Sequence, residues 1–392
     1  STDGDVEGNH GGYDIWVIKI DESGSLEWQR CYGGSSTDQA TEIIQTTDGG
    51  FAIAGISASN DGDVTDHHGD EFNYDYWVVK INSVGDIEWQ KSLGGSEYDI
   101  CWSISQLADG NFACGGYTIS DDGDVGGFTT SYDYWVVKLS DDGSIQWENT
   151  FGGSATDNGY SLISTIDSGL IIVGRTFSND EDVIGFKGGL NDGWVLKLNI
   201  EGIIEWKKCY GGNEDDIILN IYSKGNNSFL LSGSSSSIDY DLSGNNGLTD
   251  SWIFEIDSSG VLMWSINFGG TDFDYLFAIL KSFDGGALAV GYTLSNDLDA
   301  SGNNGERDFW IVKLAKPCPQ QTYYADTDND GYGDIGNYVY SCLDTFGYVL
   351  NNLDCDDANQ LIHPDVTDIC NSIDDNCNFE IDEDAAFLTW YR

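Results

Sequence analysis

An Asp-x-Trp pair opens an apolar run six times along the chain, at Asp14/Trp16, Asp75/Trp77, Asp133/Trp135, Asp192/Trp194, Asp250/Trp252 and Asp308/Trp310, with a period of 58 to 61 residues. Other marks keep the same phase. A second Trp closes the next run at Trp28, Trp89, Trp147, Trp206 and Trp264, and a Gly-Gly pair follows at Gly33, Gly94, Gly152, Gly211 and Gly269. Four residues past the second Gly of each pair stands an Asp: Asp38, Asp99, Asp157, Asp216 and Asp274. A turn such as Asp48-Gly49-Gly50 then leads into a run such as Phe51-Ala52-Ile53-Ala54-Gly55.

Each period therefore reads as four short strands between turn signals, with no helical periodicity. Four-stranded units at this spacing predict propeller blades. Runs such as Trp77-Val78-Val79-Lys80-Ile81 are apolar on both faces, which suits a sheet sandwiched between neighbours. A β-solenoid is the main alternative, but its coils are shorter. The expected fold is all-β, a β-propeller of five to six four-stranded blades over residues 1–316. The chain opens in mid-repeat, so six blades with a truncated start is the preferred count.

The supply of 13 Trp, 21 Tyr, 17 Phe and 50 Gly against 3 Pro agrees with an all-β chain. With 67 acids, 16 bases and a net charge of -51, the chain would repel a phosphate backbone, so nucleic acid is excluded as a partner. No apolar run approaches the roughly 18 residues of a membrane span. No leader is visible at Ser1, and the sequence reads as a mature or shortened product.

Six loops carry Asp-x-Asp: Asp3/Asp5, Asp61/Asp63, Asp122/Asp124, Asp180/Asp182, Asp239/Asp241 and Asp297/Asp299. Two carboxylates so spaced can point into one concavity, as Ca²⁺ requires. No copy supplies a full ligand set, so these pairs read first as turn formers. The lone Asp after each Gly-Gly reads as a hydrogen-bond acceptor that fixes its loop.

After Lys316-Pro317-Cys318-Pro319 the pattern changes. Residues 318–392 hold sixteen acids, five of the nine Cys and one base, Arg392. So little apolar surface cannot hold a fold, and residues 317–392 are expected to form a small, loop-rich module stabilised by disulfides and metal. Asp326, Asp328 and Asp330 stand at positions 1, 3 and 5 of a loop with Gly331 at 6 and Asp334 at 9, the EF-hand ligand order. The Tyr332 carbonyl would serve at position 7. Position 12 is Asn337 where a bidentate Glu is usual, so a further ligand must come from elsewhere.

Two acidic clusters follow: Asp354-Cys355-Asp356-Asp357-Ala358-Asn359, and Asp374-Asp375-Asn376-Cys377-Asn378-Phe379-Glu380-Ile381-Asp382-Glu383. With the first loop they resemble the MopE-type metal-binding motif of bacterial surface proteins over about residues 322–384. The resemblance implies ligands among Asp354, Asp356, Asp357, Asn359, Asp374, Asn376, Asn378, Asp382 and Glu383. Phe379 stands where that family has Gly, so a distorted or metal-free third loop is expected. The family's name points to copper, yet carboxylate oxygens favour Ca²⁺, and copper prefers imidazole or thiolate. Cys342/Cys355 and Cys370/Cys377 flank the acidic loops at short spacing and are the expected disulfides, which also resembles the family pattern, although four Cys allow three pairings. Cys318 is left over, and Cys31, Cys101, Cys114 and Cys209 read as buried thiols.

Segments such as Asp75-Tyr76-Trp77-Val78-Val79-Lys80 and Ile87-Glu88-Trp89-Gln90-Lys91 resemble the β-propeller repeats of large secreted Bacteroidetes proteins. That resemblance implies an extracellular or outer-surface setting and type IX secretion. Thr322-Tyr323-Tyr324-Ala325 recurs as Thr389-Trp390-Tyr391-Arg392, which reads as the start of another module in a longer surface protein.

No Gly-x-Ser-x-Gly, phosphate loop or His-Glu-x-x-His is present, and the four His (His10, His67, His68, His363) are scattered. The expected function is non-catalytic: adhesion, glycan or protein binding on the propeller face, or a structural spacer. The alternative is a propeller-fold glycoside hydrolase or lyase, because so many acids guarantee accidental carboxylate pairs. The scarcity of Arg weighs against it.

Overall fold

The computed structural model describes residues 5–127, 131–225, 227–242, 244–315, 321–341 and 345–382. Asp3, Cys318, Cys342, Glu383, the 316–319 boundary and the 389–392 repeat lie outside the described residues. The chain divides into two compact units, Ser1–Ala315 and Lys316–Arg392.

The first unit consists of β-propeller blades. One antiparallel sheet runs Asp38–Gln45, Phe51–Ser57, Asp75–Ile81, Ile87–Leu93, in chain order. Three more of the same order begin at Asp99, Asp157 and Asp216. A two-stranded sheet, Ile15–Ile20 with Leu26–Tyr32, precedes them, and a three-stranded sheet of Asp274–Lys281, Ala287–Thr293 and Asp308–Leu314 follows.

The third strand of each blade carries the Asp-x-Trp mark, and in the four complete blades it is almost wholly buried; every residue of Asp75–Ile81 is buried. Trp77, Trp135, Trp194 and Trp252 are all 0 % exposed, and burial of this size is worth about 2–3 kcal/mol per ring. Trp77 pairs with Gly55 on the second strand. Only Gly fits there, since a Cβ would stand 2.0 Å from the Gln39 carbonyl oxygen. The second Trp ties each blade to the next: Trp28, Trp89, Trp147 and Trp206 donate their indole N–H to the carbonyls of Ser83, Asp141, Ile200 and Ser258. Buried cross-blade bonds from Tyr76 to the Trp135 carbonyl and from Tyr134 to the Trp194 carbonyl, both 3.0 Å, do the same deeper in.

Each first strand is bulged. One extra residue (Thr41, Trp102, Tyr160, Leu219 or Phe277) breaks its register with the second strand. The bulge frees a backbone N–H, and the preceding blade satisfies it with a side chain. Ile104 N donates to Glu42 Oε2 (2.7 Å), Leu162 N to Ser103 Oγ (3.0 Å), Ile221 N to Ser161 Oγ (3.4 Å) and Ile279 N to Asn220 Oδ1 (3.1 Å). A ladder of polar contacts thus runs from blade to blade along the first strands.

The Asp after each Gly-Gly fixes its loop: Asp38 Oδ2 accepts from Gly34 N (2.8 Å) and Ser59 Oγ (2.9 Å), and Oδ1 from Ser57 Oγ. The first Asp of each of the five described Asp-x-Asp pairs also acts as an acceptor. Asp61, Asp122, Asp180, Asp239 and Asp297 receive the backbone N–H of Ser35, Ser96, Ser154, Asn213 and Thr271. Cys31, Cys101, Cys114 and Cys209 are buried free thiols.

The second unit has one small sheet, ordered Asp334–Ser341, Gln321–Ala325, Tyr348–Val349, and otherwise loops. Its buried apolar side chains among the described residues are few: Tyr323, Ala325 and Ile362. Among the described residues no helix is long and apolar enough to cross a membrane.

Candidate metal centre

The centre begins in the loop after Gln321–Ala325. Asp330 N and Gly331 N donate to Asp326 Oδ1 and Oδ2 at 3.0 and 3.2 Å, Asp330 N also to Asp328 Oδ1 at 3.2 Å, and Tyr332 N to Asp330 Oδ1 at 2.8 Å. Gly331 sits at φ 94°, the sharp turn its loop position calls for. These bonds wrap the backbone around the three carboxylates.

The second cluster closes the site. Asp354 N donates to the Gly333 carbonyl at 3.1 Å, docking that segment beside the first loop. Thr327 N and Oγ1 donate to the two oxygens of Asp357 at 2.7 and 2.6 Å. The result is two overlapping groups that share Asp328: Asp326, Asp328 and Asp357, and Asp328, Asp330 and Asp354, with oxygens in each group within 4.8 Å of one another. The ligand that Asn337 cannot supply is thus available from Asp354 and Asp357.

Whether these residues fit a cation is decided by the oxygens left over. Asp328 Oδ2, Asp330 Oδ2 and Asp354 Oδ2 are buried and accept no hydrogen bond. Buried, unpaired carboxylate oxygens on neighbouring residues are costly unless a positive charge joins them. Burial, reinforced by the Asp330 charge, raises the Asp328 carboxyl above its ordinary range, and burial likewise raises Asp354 beside Asp330 and Asp328. The donors are hard oxygens, so the residues fit a hard cation.

The other expected ligands stand elsewhere. Asp334 Oδ1 accepts from its own turn at Gly336 N (2.7 Å), and Asn359 Oδ1 from Leu361 N (3.4 Å). The Asp356 backbone N–H caps Asp354 Oδ1 at 2.8 Å, and the Asp356 carboxylate joins neither group. The Tyr332 hydroxyl donates to Asp365 while its ring stacks on His363 with centroids 5.2 Å apart.

The third loop repeats the first. Asn378 N and Phe379 N donate to Asp374 Oδ1 and Oδ2 at 3.2 and 2.7 Å, Asn378 N to Asn376 Oδ1 at 3.1 Å, and Glu380 N to Asn378 Oδ1 at 2.8 Å. The expected distortion at Phe379 does not occur. Phe379 takes φ 70°, the left-handed conformation that Gly331 takes in the first loop, with its side chain 96 % exposed. Asn376 and Asn378 replace carboxylates, so the copy keeps the geometry with less charge. Asp382 is drawn back to Asn371 N at 2.9 Å.

The disulfide pairing expected from spacing is corrected by the structure, in which Cys355 joins Cys377 with Cα atoms 5.7 Å apart and Cys370 is an exposed free thiol. The cause is Asp368, absent from the expected site. This buried residue accepts from Asp375 N (2.7 Å), Asn376 N (3.2 Å) and Asp382 N (2.9 Å), folding the third loop around itself so that Cys377 faces the second loop. Asp368 carries no spacing signal in the sequence.

In the propeller unit the bulges surround a cavity of about 470 Å³. Trp102, Tyr160 and Phe277 supply aromatic faces, and Glu42, Ser103 and Asn220 supply polar groups. Burial raises the Glu42 carboxyl, against the hydrogen bonds from Ile104 N and Ser103 Oγ. These residues stand three and four positions beyond the Asp that follows each Gly-Gly, where residue type changes from blade to blade and gives the sequence no common signal.

A family model described as "Putative metal-binding motif" (MopE type) matches residues 354–383, the second and third loops. No curated protein matches the chain. Among solved structures, the chain is similar to a protein of unknown function from Bacteroides caccae, at 10 % identity and TM-score 0.42, covering 78 % of this chain and 92 % of that one. It is also similar to the Pan2 WD40 domain of Neurospora crassa (11 %, TM-score 0.36, 80 % and 82 %). A third is the alpha-L-arabinofuranosidase of Lactobacillus brevis (10 %, TM-score 0.33, 71 % and 93 %).

Proposed function

We propose that this chain is a non-catalytic, calcium-binding part of a secreted or cell-surface protein of the Bacteroidetes type, exported by type IX secretion. Its propeller offers a glycan or protein ligand a binding face for adhesion or surface-array assembly. The observation that carries the metal reading is that carboxylate oxygens of Asp328, Asp330 and Asp354 lie within 4.8 Å of one another while each residue keeps a buried oxygen without a hydrogen bond. All are carboxylate oxygens, the donor type that Ca²⁺ takes and copper does not prefer. A disulfide between two of the acidic loops suits an oxidising compartment.

The cavity between the first strands supports the binding reading. It joins aromatic faces to hydrogen-bonding groups, a combination suited to small polar ligands. Among the described residues Glu42 is the one carboxylate in its lining, whereas glycoside hydrolysis uses two. The charge of -51 disfavours anionic ligands and points to neutral glycans.

The test is proteolysis of the 326–382 segment in Ca²⁺, Cu²⁺ or chelator, with glycan-array binding of the same protein. Protection by Ca²⁺ and not by Cu²⁺ is expected. Equal cleavage in Ca²⁺ and chelator sinks the metal reading, and hydrolysis of an arrayed glycan sinks the non-catalytic one.

A further inference from the structure

We propose that the first and last sheets of the propeller unit carry the two halves of one blade junction, and that a second copy of this chain docks there head to tail. Such docking supplies a contact for surface-array assembly, the reading on which it rests, and needs neither calcium nor a glycan. The internal junctions show the rule. In each third strand the side chains in phase with the Trp face the preceding blade, and those between them face the following one. Trp135, Val137 and Leu139 thus pack against Tyr76 and Val78 of the blade before, and all five are 0 % exposed. An aromatic pair anchors the contact. Tyr76 meets Trp135 and, one junction on, Tyr134 meets Trp194, with ring centroids 4.6 and 4.7 Å apart.

The first and last sheets keep this phase, and each leaves one half of a junction open. In the sheet of Ile15–Ile20 and Leu26–Tyr32, Ile15 and Val17 cover the next blade. Its other face shows Trp16, Ile18, Ile20 and, paired with Ile20, Leu26, all 45–56 % exposed. In the sheet that includes Asp308–Leu314, Val312 and Leu314 pack against the blade before. Phe309 and Ile311, on its other face, are 73 % and 54 % exposed. Phe309 holds the place of Tyr76 and Tyr134, and Trp16 that of Trp135 and Trp194. Both members of the aromatic pair are therefore present, each without its partner.

A second observation identifies the occupant. The residue after the bulge (Glu42, Ser103, Ser161 or Asn220) accepts the N–H freed in the first strand of the next blade. In the last sheet this position is Ala278, whose side chain has no acceptor. The sheet that covers it therefore needs no bulged first strand. Among the described sheets of the unit, the one without a first strand is Ile15–Ile20 with Leu26–Tyr32. Both faces are open in the single chain, so the mating sheet comes from another copy, and the contact is heterologous. Burial of the two apolar faces drives the docking, and repulsion between chains of charge -51 opposes it.

The test is sedimentation of the full chain at rising concentration, in Ca²⁺ and in chelator. Reversible assembly is expected in both, and it should tighten as NaCl rises, because salt screens the repulsion and spares the apolar contact. Ile18→Glu and Phe309→Glu alter exposed positions and should melt with the parent. Each should weaken self-association at least about a hundredfold by placing a charge in the junction. Ile20→Glu and Ile311→Glu stand in for whichever of the two fails to melt with the parent. Mixed one to one, the two variants should form a dimer that grows no further, since each keeps the half the other has lost. A chain that stays monomeric at every concentration overturns the proposal, as does undiminished assembly by either variant alone or a mixture that stays monomeric. Assembly in Ca²⁺ alone overturns it too and assigns the contact to the metal centre. None of these failures touches the calcium or glycan reading, which proteolysis and the glycan array test separately.

Discussion

Asp328 and Asp354 come from separate loops, yet each turns a buried, unbonded oxygen into one shared group of carboxylates. In such a group a carboxylate serves as ligand when a cation is present and as a source of repulsion when it is absent. Asp354→Asn should therefore have opposite effects in the two conditions. In saturating Ca²⁺ the C-terminal unit should lose about 2–3 kcal/mol of metal-linked stability, the scale of a ligand at a hundred times its Kd. In chelator the variant should match or exceed the parent. Chemical denaturation of the C-terminal unit, followed by proteolysis, checks both signs.

The Cys355–Cys377 bond closes a loop across a sequence separation of 22. Chain-entropy arguments put its stabilisation at about 3 kcal/mol. Cys377→Ser should lower the stability of the C-terminal unit by that order and leave the propeller transition in place. Peptide mapping without reduction should recover Cys355 linked to Cys377. In the native protein Cys370 should react with a thiol reagent while the buried Cys31, Cys101, Cys114 and Cys209 should not.

The blades were legible because the third and fourth strands each carry a Trp at a fixed phase, with an Asp opening the third and a Gly-Gly pair following the fourth. Asp-x-Trp fell on the buried third strand every time it recurred within a complete blade, since one packing problem recurs there. The bulges were not legible, because Thr41, Trp102, Tyr160, Leu219 and Phe277 share a position and no chemistry. In the C-terminal unit, ligand order within the first loop could be read locally. That Asp354 and Asp357 would complete it depended on a backbone contact to Gly333, a long-range fact. The disulfide was misread for the same reason: short spacing favoured Cys370 with Cys377, whereas the bonds to Asp368 turned Cys377 toward Cys355.

Ser103 connects three blades. Its hydroxyl donates to Glu42 Oε2 at 2.7 Å and accepts from Leu162 N at 3.0 Å. Ser103→Ala removes both partners at once, leaving a buried N–H bare and weakening the hold on a carboxylate. A loss of about 2–3 kcal/mol in propeller stability is expected, with no change in the C-terminal unit. Ser103→Thr keeps the hydroxyl and should recover most of it. Urea denaturation followed by Trp fluorescence measures both.

The buried acids of the blades should make the propeller more stable in mild acid than at neutral pH. Burial pushes Asp99, Asp133 and Asp192 up to about 7 from an ordinary value of 3.8, with the Asp157 charge adding to the effect on Asp133. Between those values the folded protein holds protons that the unfolded chain has released. Unfolding then loses protons, so stability falls as pH rises through this window and is greatest toward its acid end. Asp48 and Asp284 act the other way, since Lys80 and Lys313 hold them well below 3.8, and their contribution is lost only when pH drops below that value. The propeller melting temperature should accordingly rise from pH 8 to pH 5 and turn down below about pH 4. Falling net repulsion also favours acid, so the decisive comparison is Asp133→Asn. The variant should melt higher than the parent at pH 8 and approach it near pH 5. A constant offset between the two across that range would show that Asp133 is not a proton-linked group.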